Sequence, residues 1–411
     1  MRKTDNKILL QFILLIISIP AFNIIPFYHS LGLDFQNSFT FQRCSLIHTN
    51  IYLLDGKLCG DWVERSYIYP PLHLWAYYWT RFLTFTQAYL VLVFLIVSGT
   101  FSSLLLWSQT LKWEKSQLWY IAILVFLLLA QYPLIFAVER GNSDIFVLIL
   151  WTCLYFSYKN HRFFLFGVLA ALLVSLKIYP IIGLACIGFG LIIHSYQNRS
   201  ISNPILHIVS GGLLCLSLQG YVLFDELSVF ISHFNQLVGH KLSTKQYSHT
   251  LYFFHPNLNP WLTIGIAYSA KLVLLVLWCW VSVKYIRYQP TIVFLGALAI
   301  STYFGGVSYD YNLITIFPLL TILLISSVTT EKNNNRYHVL GLSGVFIFFT
   351  LKAIYAIGVA YGFPVKKFLI VGGMAYLQWA WLCMIALFFL FKKLTIDNVF
   401  TAEKSNDIFK S

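Results

Sequence analysis

Apolar residues run through this chain in long, nearly unbroken stretches rather than in the strict alternation of a strand or the one-sided stripe of a surface helix. About 20 such residues make a helix that crosses the hydrocarbon core of a bilayer. The pattern therefore predicts an all-α polytopic membrane protein of about twelve transmembrane helices. Their expected positions are roughly 8–28, 87–110, 118–137, 145–158, 163–178, 180–195, 204–223, 261–283, 290–305, 311–328, 338–360 and 368–391. Residues 1–393 are expected to form a single integral-membrane domain, followed by a polar cytoplasmic tail over 394–411. Polar residues gather between the apolar runs, first and at greatest length from Gly32 to Leu72, then at Glu139–Asp144, Asp225–Pro260 and Tyr309–Asn312.

Composition agrees with this pattern. Of 411 residues, 58% are hydrophobic and only 10% are charged, against roughly 25% charged in soluble domains. The net charge of +13 comes from basic residues scattered among short loops. It reads as the positive-inside signature of a membrane protein and contact with anionic lipid, not as a nucleic-acid-binding stripe. Arg2, Lys3, Lys7, Lys112, Lys115, Lys159 and Arg162 then lie on the cytoplasmic side, with both termini. Asp34, Glu139, Asp144 and Asp310 lie outside, so the carboxylates, and with them the chemistry, belong to the extracytoplasmic face. The apolar run after Lys7 is long and is not followed by a small-residue cleavage site, so it reads as an uncleaved first helix. Cys153, Cys186, Cys215, Cys279 and Cys383 fall within apolar spans as small buried hydrophobes. Cys44 and Cys59 share the first external loop, where an oxidising compartment allows them to pair.

Each polar cluster admits a structural and a chemical reading. Asp34 precedes a stripe of Phe35, Phe39, Leu46, Ile47, Ile51 and Tyr52, so it is either the cap of an interfacial helix or a carboxylate held at the membrane boundary as a general base. In Tyr67-Ile68-Tyr69-Pro70-Pro71 the prolines set the angle of re-entry, while Tyr69 suits the interface or the lining of a pocket. The Glu139-Arg140-Gly141-Asn142-Ser143-Asp144 run is a polar turn or a ligand loop whose arginine grips phosphate with two N–H groups. Lys177, in Leu176-Lys177-Ile178-Tyr179-Pro180, either snorkels to the surface or meets a lipid phosphate. Tyr309 and Asp310 open a late span. The interval 225–260 carries His233, His240, His249 and His255 without metal-site spacing, and its Leu227, Phe230, Ile231, Phe234 and Leu237 predict a second interfacial helix.

The ordered motifs GLDF, NIY, YIYPPL, ERGNSD, LKIYP and YDYNLI resemble glycosyltransferase family 87, polytopic membrane proteins that include polyprenyl-phosphate-mannose-dependent mannosyltransferases of the type C glycosyltransferase fold. The resemblance extends from Met1 to about Leu320, and RGNSD followed by LKIYP is its most specific part. It implies an inverting hexosyltransferase that takes mannose or another hexose or pentose from a polyprenyl-phosphate donor. The acceptor would be a lipid or glycan of the cell envelope, met at the extracytoplasmic face of a multi-pass plasma or inner membrane protein. In that family the base is an acidic residue of the first external loop, which Asp34 matches. Arg140 and Lys177 would serve the donor phosphate, with Tyr69, Asn142, Asp144, Tyr309 and Asp310 in the substrate pocket. No cofactor, metal or nucleic acid is called for. The longer first loop and its cysteine pair depart from the family pattern and set the acceptor site apart from that of the mannosyltransferases. A flippase or transporter of lipid-linked sugars, or a glycan polymerase, is the alternative. A transporter predicts ionisable residues at the bilayer midplane and internal repeats, whereas here the charges gather at one face.

A Cys44–Cys59 bridge would close a loop of about fifteen residues, worth about 3 kcal/mol in the chain-entropy picture. Mass spectrometry of unreduced protein from oxidising growth is expected to recover one cross-linked peptide pair, and recovery of both as free thiols refutes the pairing.

Overall fold

Proline decides where several helices of this chain start and where one of them breaks. It lacks an N–H, which costs nothing in a first helical turn but removes a bond anywhere deeper. Pro71 opens α3 (Pro71–Trp75), Pro133 stands in the first turn of α6 (Tyr132–Arg140), and Pro290 opens α13 (Pro290–Ser301). The computed structural model describes residues 2–19, 32–44, 69–111, 117–197, 203–238, 260–304, 310–329, 335–351 and 367–391. The tail at 394–411, Cys59 and Tyr309 lie outside the described residues, as do the side chains of Cys44 and Asp310.

The described residues are helical. The chain begins with α1 (Arg2–Ser18) and α2 (Leu33–Cys44). After α3 a 3-10 turn over Tyr78–Phe82 leads to α4 (Phe85–Ser108), which is closed at its start by a reciprocal capping box between Thr84 and Gln87. Then come α5 (Leu118–Leu129), α6, α7 (Asp144–Lys159), α8 (Phe163–Leu176), α9 (Ile181–Gln197), α10 (Asn203–Val222), α11 (Phe224–Val238) and α12 (Pro260–Tyr285). After α13, a 3-10 turn over Asp310–Ile316 runs into α14 (Phe317–Thr329). The chain then forms α15 (Asn335–Val345), a π turn over Phe346–Thr350, and α16 (Lys367–Phe391).

By length and composition α4, α10 and α12 can each cross a membrane, and the bent pair α5–α6 counts as a fourth if taken as one span. Six further apolar helices have 10–17 residues. The last of these belongs to the 25-residue α16, which is long enough to cross; at 1.5 Å per residue the other five fall short of a hydrocarbon core about 30 Å thick. Among the described residues these three or four full spans, with the 25-residue α16, account for part of the twelve that the apolar pattern predicts. The difference in sequence 118–137 has a clear cause. Pro133 cannot donate to the carbonyl four residues back, so the run splits into α5 and α6 with a bend of 51°. Consequently Val138, Glu139 and Arg140 finish a helix instead of forming a loop.

Side chains divide as a lipid-solvated protein requires. Phe94, Leu213, Leu218 and Trp280 stand exposed on the longest helices, a cost in water that disappears against acyl chains. Every residue of α13 is buried, as are Leu319, Leu320, Leu323 and Leu324 of α14. α8 and α10 meet through Gly167 and Gly211, where a Cβ would come within 2.0 Å of the Ile208 carbonyl oxygen and 2.2 Å of the Phe164 carbonyl oxygen. On the interfacial helix predicted after Asp225, Phe230 turns inward and Ile231 outward along α11.

Buried polar bonds join α1 to the rest. Tyr120 donates to Gln11 Oε1, and Gln11 donates to Ser327 Oγ at 2.6 Å, tying α1, α5 and α14. At the α5–α6 break, Ser18 donates to Gln131 Oε1 at 2.7 Å. The Gln131 amide donates to the carbonyls of Leu15 at 3.1 Å and Leu127 at 2.9 Å. Gln131→Leu removes all three of these bonds and leaves the Ser18 hydroxyl only its bond to the Leu15 carbonyl. It is expected to lower stability by about 1–3 kcal/mol, read as a fall in Tm of the detergent-solubilised protein. An unchanged Tm would release α1 from this anchor.

Candidate active site

Two glycines in the left-handed conformation bring α2 and the end of α6 together. Gly32 (φ +74°) precedes α2 and Gly141 (φ +65°) follows α6. The Gly32 N–H donates to the Glu139 carbonyl at 2.6 Å, and the Gly32 carbonyl accepts from Gln36 N–H at 2.6 Å. Gly32 is therefore the residue that caps α2. At Gly141 the chain closes α6 through Gly141 N–H to Val138 O and Asn142 N–H to Ala137 O, both at 3.0 Å. A Cβ on Gly141 would lie 2.5 Å from Phe35 Cβ and 3.5 Å from Gly32 Cα. The contact is so close that only glycine fits. Phe35 itself is buried among Phe39, Tyr77, Phe85 and Tyr89. Tyr89 secures the end of α6 by donating to the Val138 carbonyl at 2.7 Å.

This junction places Asp34 in the first turn of α2, facing the last residue of α6. Since Gly32 caps the helix, the Asp34 carboxylate is engaged elsewhere, by Arg140. Nε donates to Oδ2 at 3.2 Å and Nη2 to Oδ1 at 2.5 Å. The two side chains are 19% and 15% exposed, so the fork is partly shielded from solvent.

The next residues extend the cluster. Asn142 Oδ1 accepts from the Asp144 N–H at 2.8 Å, a short turn that starts α7. Asp144 is wholly buried, and its Oδ1 accepts from Lys177 Nζ at 2.5 Å and from the Tyr179 hydroxyl at 3.0 Å. Lys177 also approaches Asn142 Oδ1 at 3.5 Å. Its ammonium thus turns inward to a carboxylate instead of snorkelling outward. Nζ lies 5.4 Å from the centre of the Tyr69 ring, and Tyr69 stacks on His73 at 4.1 Å. His73 Nε2 is 2.8 Å from Ser143 Oγ. Burial, with the Lys177 ammonium nearby, pushes the His73 imidazole well below its usual range, so it is neutral. At the corner between α8 and α9, burial and the Asp144 carboxylate raise the Tyr179 phenol and hold it as a donor.

The structure therefore gathers Asp34 with Arg140, and Tyr69, Asn142, Asp144 and Lys177 around the turn that follows Arg140. The 3-10 turn opened by Asp310 packs against both α6 and α7. The site charges pair internally, Asp34 with Arg140 and Asp144 with Lys177. His73 was not singled out in the sequence, where it is one polar residue in an aromatic stretch. Its signal, a histidine directly after the YIYPPL motif, means little without the Ser143 hydroxyl opposite. Glu139 was read there only as part of the polar run; here both of its carboxylate oxygens are buried and have no hydrogen-bond donor among the described residues.

No protein-family model matches the chain, and no curated protein sequence does. A structural likeness is found to ArnT from Cupriavidus metallidurans, solved bound to undecaprenyl phosphate. It covers 91% of this chain and 75% of that one at 14% identity, with a TM-score of 0.36. A likeness at that level carries no argument about fold or activity.

The buried ion pair makes a direct prediction. Lys177→Ala leaves Asp144 charged and uncompensated and is expected to cost about 3–5 kcal/mol, whereas the double change Asp144→Leu with Lys177→Met restores most of the stability. Thermal unfolding in detergent measures both. A single variant as stable as the parent refutes the pairing.

Proposed function

We propose that this chain is a membrane glycosyltransferase of the type C class, related to family 87 through its motifs. It moves a hexose or pentose, mannose-like or other, from a polyprenyl-phosphate donor to a lipid or glycan acceptor at the extracytoplasmic face, with inversion. The observation that carries this reading is the two-pronged ion pair between Asp34, from the GLDF motif, and Arg140, from the RGNSD motif. Two motifs that the resemblance treats as functional, 106 residues apart, meet in one partly shielded contact beside the Asp144–Lys177 pair. Further support comes from the apolar exposure of the surrounding helices and from the side of the membrane to which the loop charges assign these carboxylates. The full reading includes twelve spans, one domain over 1–393, and a pocket that also holds Tyr69, Asn142, Tyr309 and Asp310.

In this reading the acceptor hydroxyl gives its proton to Asp34 as its oxygen attacks the anomeric carbon. The bond from that carbon to the phosphate oxygen breaks on the opposite face, and the electron pair leaves with the polyprenyl phosphate. An ionised carboxylate has about four lone-pair positions, so the Arg140 fork orients Asp34 and leaves it able to accept a proton. Arg140 and Lys177 share the negative charge on the leaving phosphate in this reading, and their orientation by Asp34 and Asp144 supports that role. A single phosphate leaving group calls for a divalent ion less than a pyrophosphate would.

Membranes containing the protein, supplied with radiolabelled polyprenyl-phosphate sugars, are expected to transfer label to a lipid or glycan product. Asp34→Asn retains a carbonyl for Arg140 and is expected to lower turnover by about 10²–10⁴ while remaining folded. Normal turnover by a well-expressed Asp34→Asn protein removes Asp34 as the base. Movement of label across the membrane with no new glycosidic bond makes the chain a transporter.

A further inference from the structure

Glu139 is the charged residue of this cluster that the mechanism above does not use. It occupies the last turn of α6, immediately before Arg140, and is only 5% exposed. Its backbone carbonyl is held by the Gly32 N–H at 2.6 Å, which fixes the residue relative to α2 and Asp34. Both side-chain oxygens are buried without a hydrogen-bond donor among the described residues. Tyr89 on α4 does not supply one, because its hydroxyl donates to the Val138 carbonyl. Arg140 presents Nε and Nη2 to Asp34. A buried carboxylate left in this condition is costly, more so at a membrane, and such residues face a substrate path as a rule.

The shortage has one sign. Asp144 Oδ2, at the start of α7, is likewise buried without a donor, although Oδ1 of the same carboxylate has two. α6 and α7 both pack against the 3-10 turn over Asp310–Ile316, and there Asn312 Oδ1 is a further buried acceptor with no partner among the described residues. Three adjoining segments thus present unmatched acceptors, and the complement they require is a ligand rich in hydrogen-bond donors. A metal ion is a poorer complement, because no group of three or more His, Cys, Asp or Glu side chains is arranged to hold one among the described residues.

We infer that Glu139 is a sugar-binding carboxylate, whose two oxygens accept from neighbouring ring hydroxyls of the glycosyl unit carried by the polyprenyl-phosphate donor. The inference rests on the glycosyltransferase reading and adds to it the group that recognises the sugar rather than the lipid phosphate. A carboxylate with both oxygens unengaged matches a pair of adjacent hydroxyls, each oxygen taking one O–H. Asp34 remains the proton acceptor and Glu139 makes no bond and moves no proton.

The test is equilibrium binding to the full-length protein in lipid nanodiscs. The probes are a series of polyprenyl-phosphate hexoses and pentoses and the same polyprenyl phosphate bearing no sugar. Wild-type protein is expected to bind at least one sugar-bearing lipid more tightly than the bare lipid. Glu139→Gln puts an NH₂ where an acceptor stood. It is expected to weaken that sugar-bearing lipid at least about tenfold and to leave the bare lipid unchanged. Equal weakening of both lipids, or no weakening of either, overturns the inference, as does tighter binding of both, which would mark Glu139 as a charge that merely repels phosphate. Wild-type protein that does not distinguish any sugar-bearing lipid from the bare one also overturns the inference, whereas the glycosyltransferase reading itself stands or falls on the transfer of label described above. Glu139→Asp, which keeps the charge but withdraws it by one methylene, gives the same comparison where the glutamine variant fails to fold.

Discussion

The ion pair between Asp34 and Arg140 is the constraint on which the described site depends. Its two charges come from helices separated by 106 residues of chain, and the partners can meet only because their backbones nearly touch. Gly32 and Gly141 make that approach, each in a conformation that a side chain would oppose. The break at Gln131–Pro133 then aims α6 so that its last residue arrives at α2. A pair this shielded is weak evidence of net stabilisation, because desolvation offsets much of the attraction. What it supplies is orientation, holding a carboxylate in one direction at the end of an apolar bundle.

The second pair works at greater depth. Asp144 is wholly buried, so its charge is tolerable only with Lys177 and Tyr179 against it. The turn Asn142–Asp144 serves both pairs at once, since it follows directly from Arg140 and starts the helix that carries Asp144. A change at either pair therefore reaches the other through three residues of backbone. The neutral imidazole of His73, set against Ser143, braces the same turn from the α3 side without adding charge.

Much of this was legible in the chain as written. Uninterrupted apolar runs required helices, and the described residues formed them. Asp34 at the start of a helix, Arg140 in a glycine-containing turn and Lys177 at a span end all stood out as polar groups in apolar surroundings. The α5–α6 bend was equally present, in Pro133, but hydropathy averages across a proline and reads one span where the backbone makes two. His73 and Tyr179 were harder to see, because a lone histidine or tyrosine in an aromatic stretch has no meaning until its partner is known.

The sequence by itself determined the solvent the protein must live in, the helical class, and which few residues carry charge. Those follow from local composition, since a backbone in lipid must satisfy its own hydrogen bonds and a charge in lipid must be compensated. Only the tertiary structure decided which charge compensates which. Asp34 took Arg140 instead of capping its own helix, Lys177 took Asp144 instead of reaching for the surface, and Glu139 was left without a hydrogen-bond donor among the described residues. The physical reason is that pairing energy depends on separations of a few ångströms, and those separations are set by glycine contacts and a proline break between segments far apart in the chain.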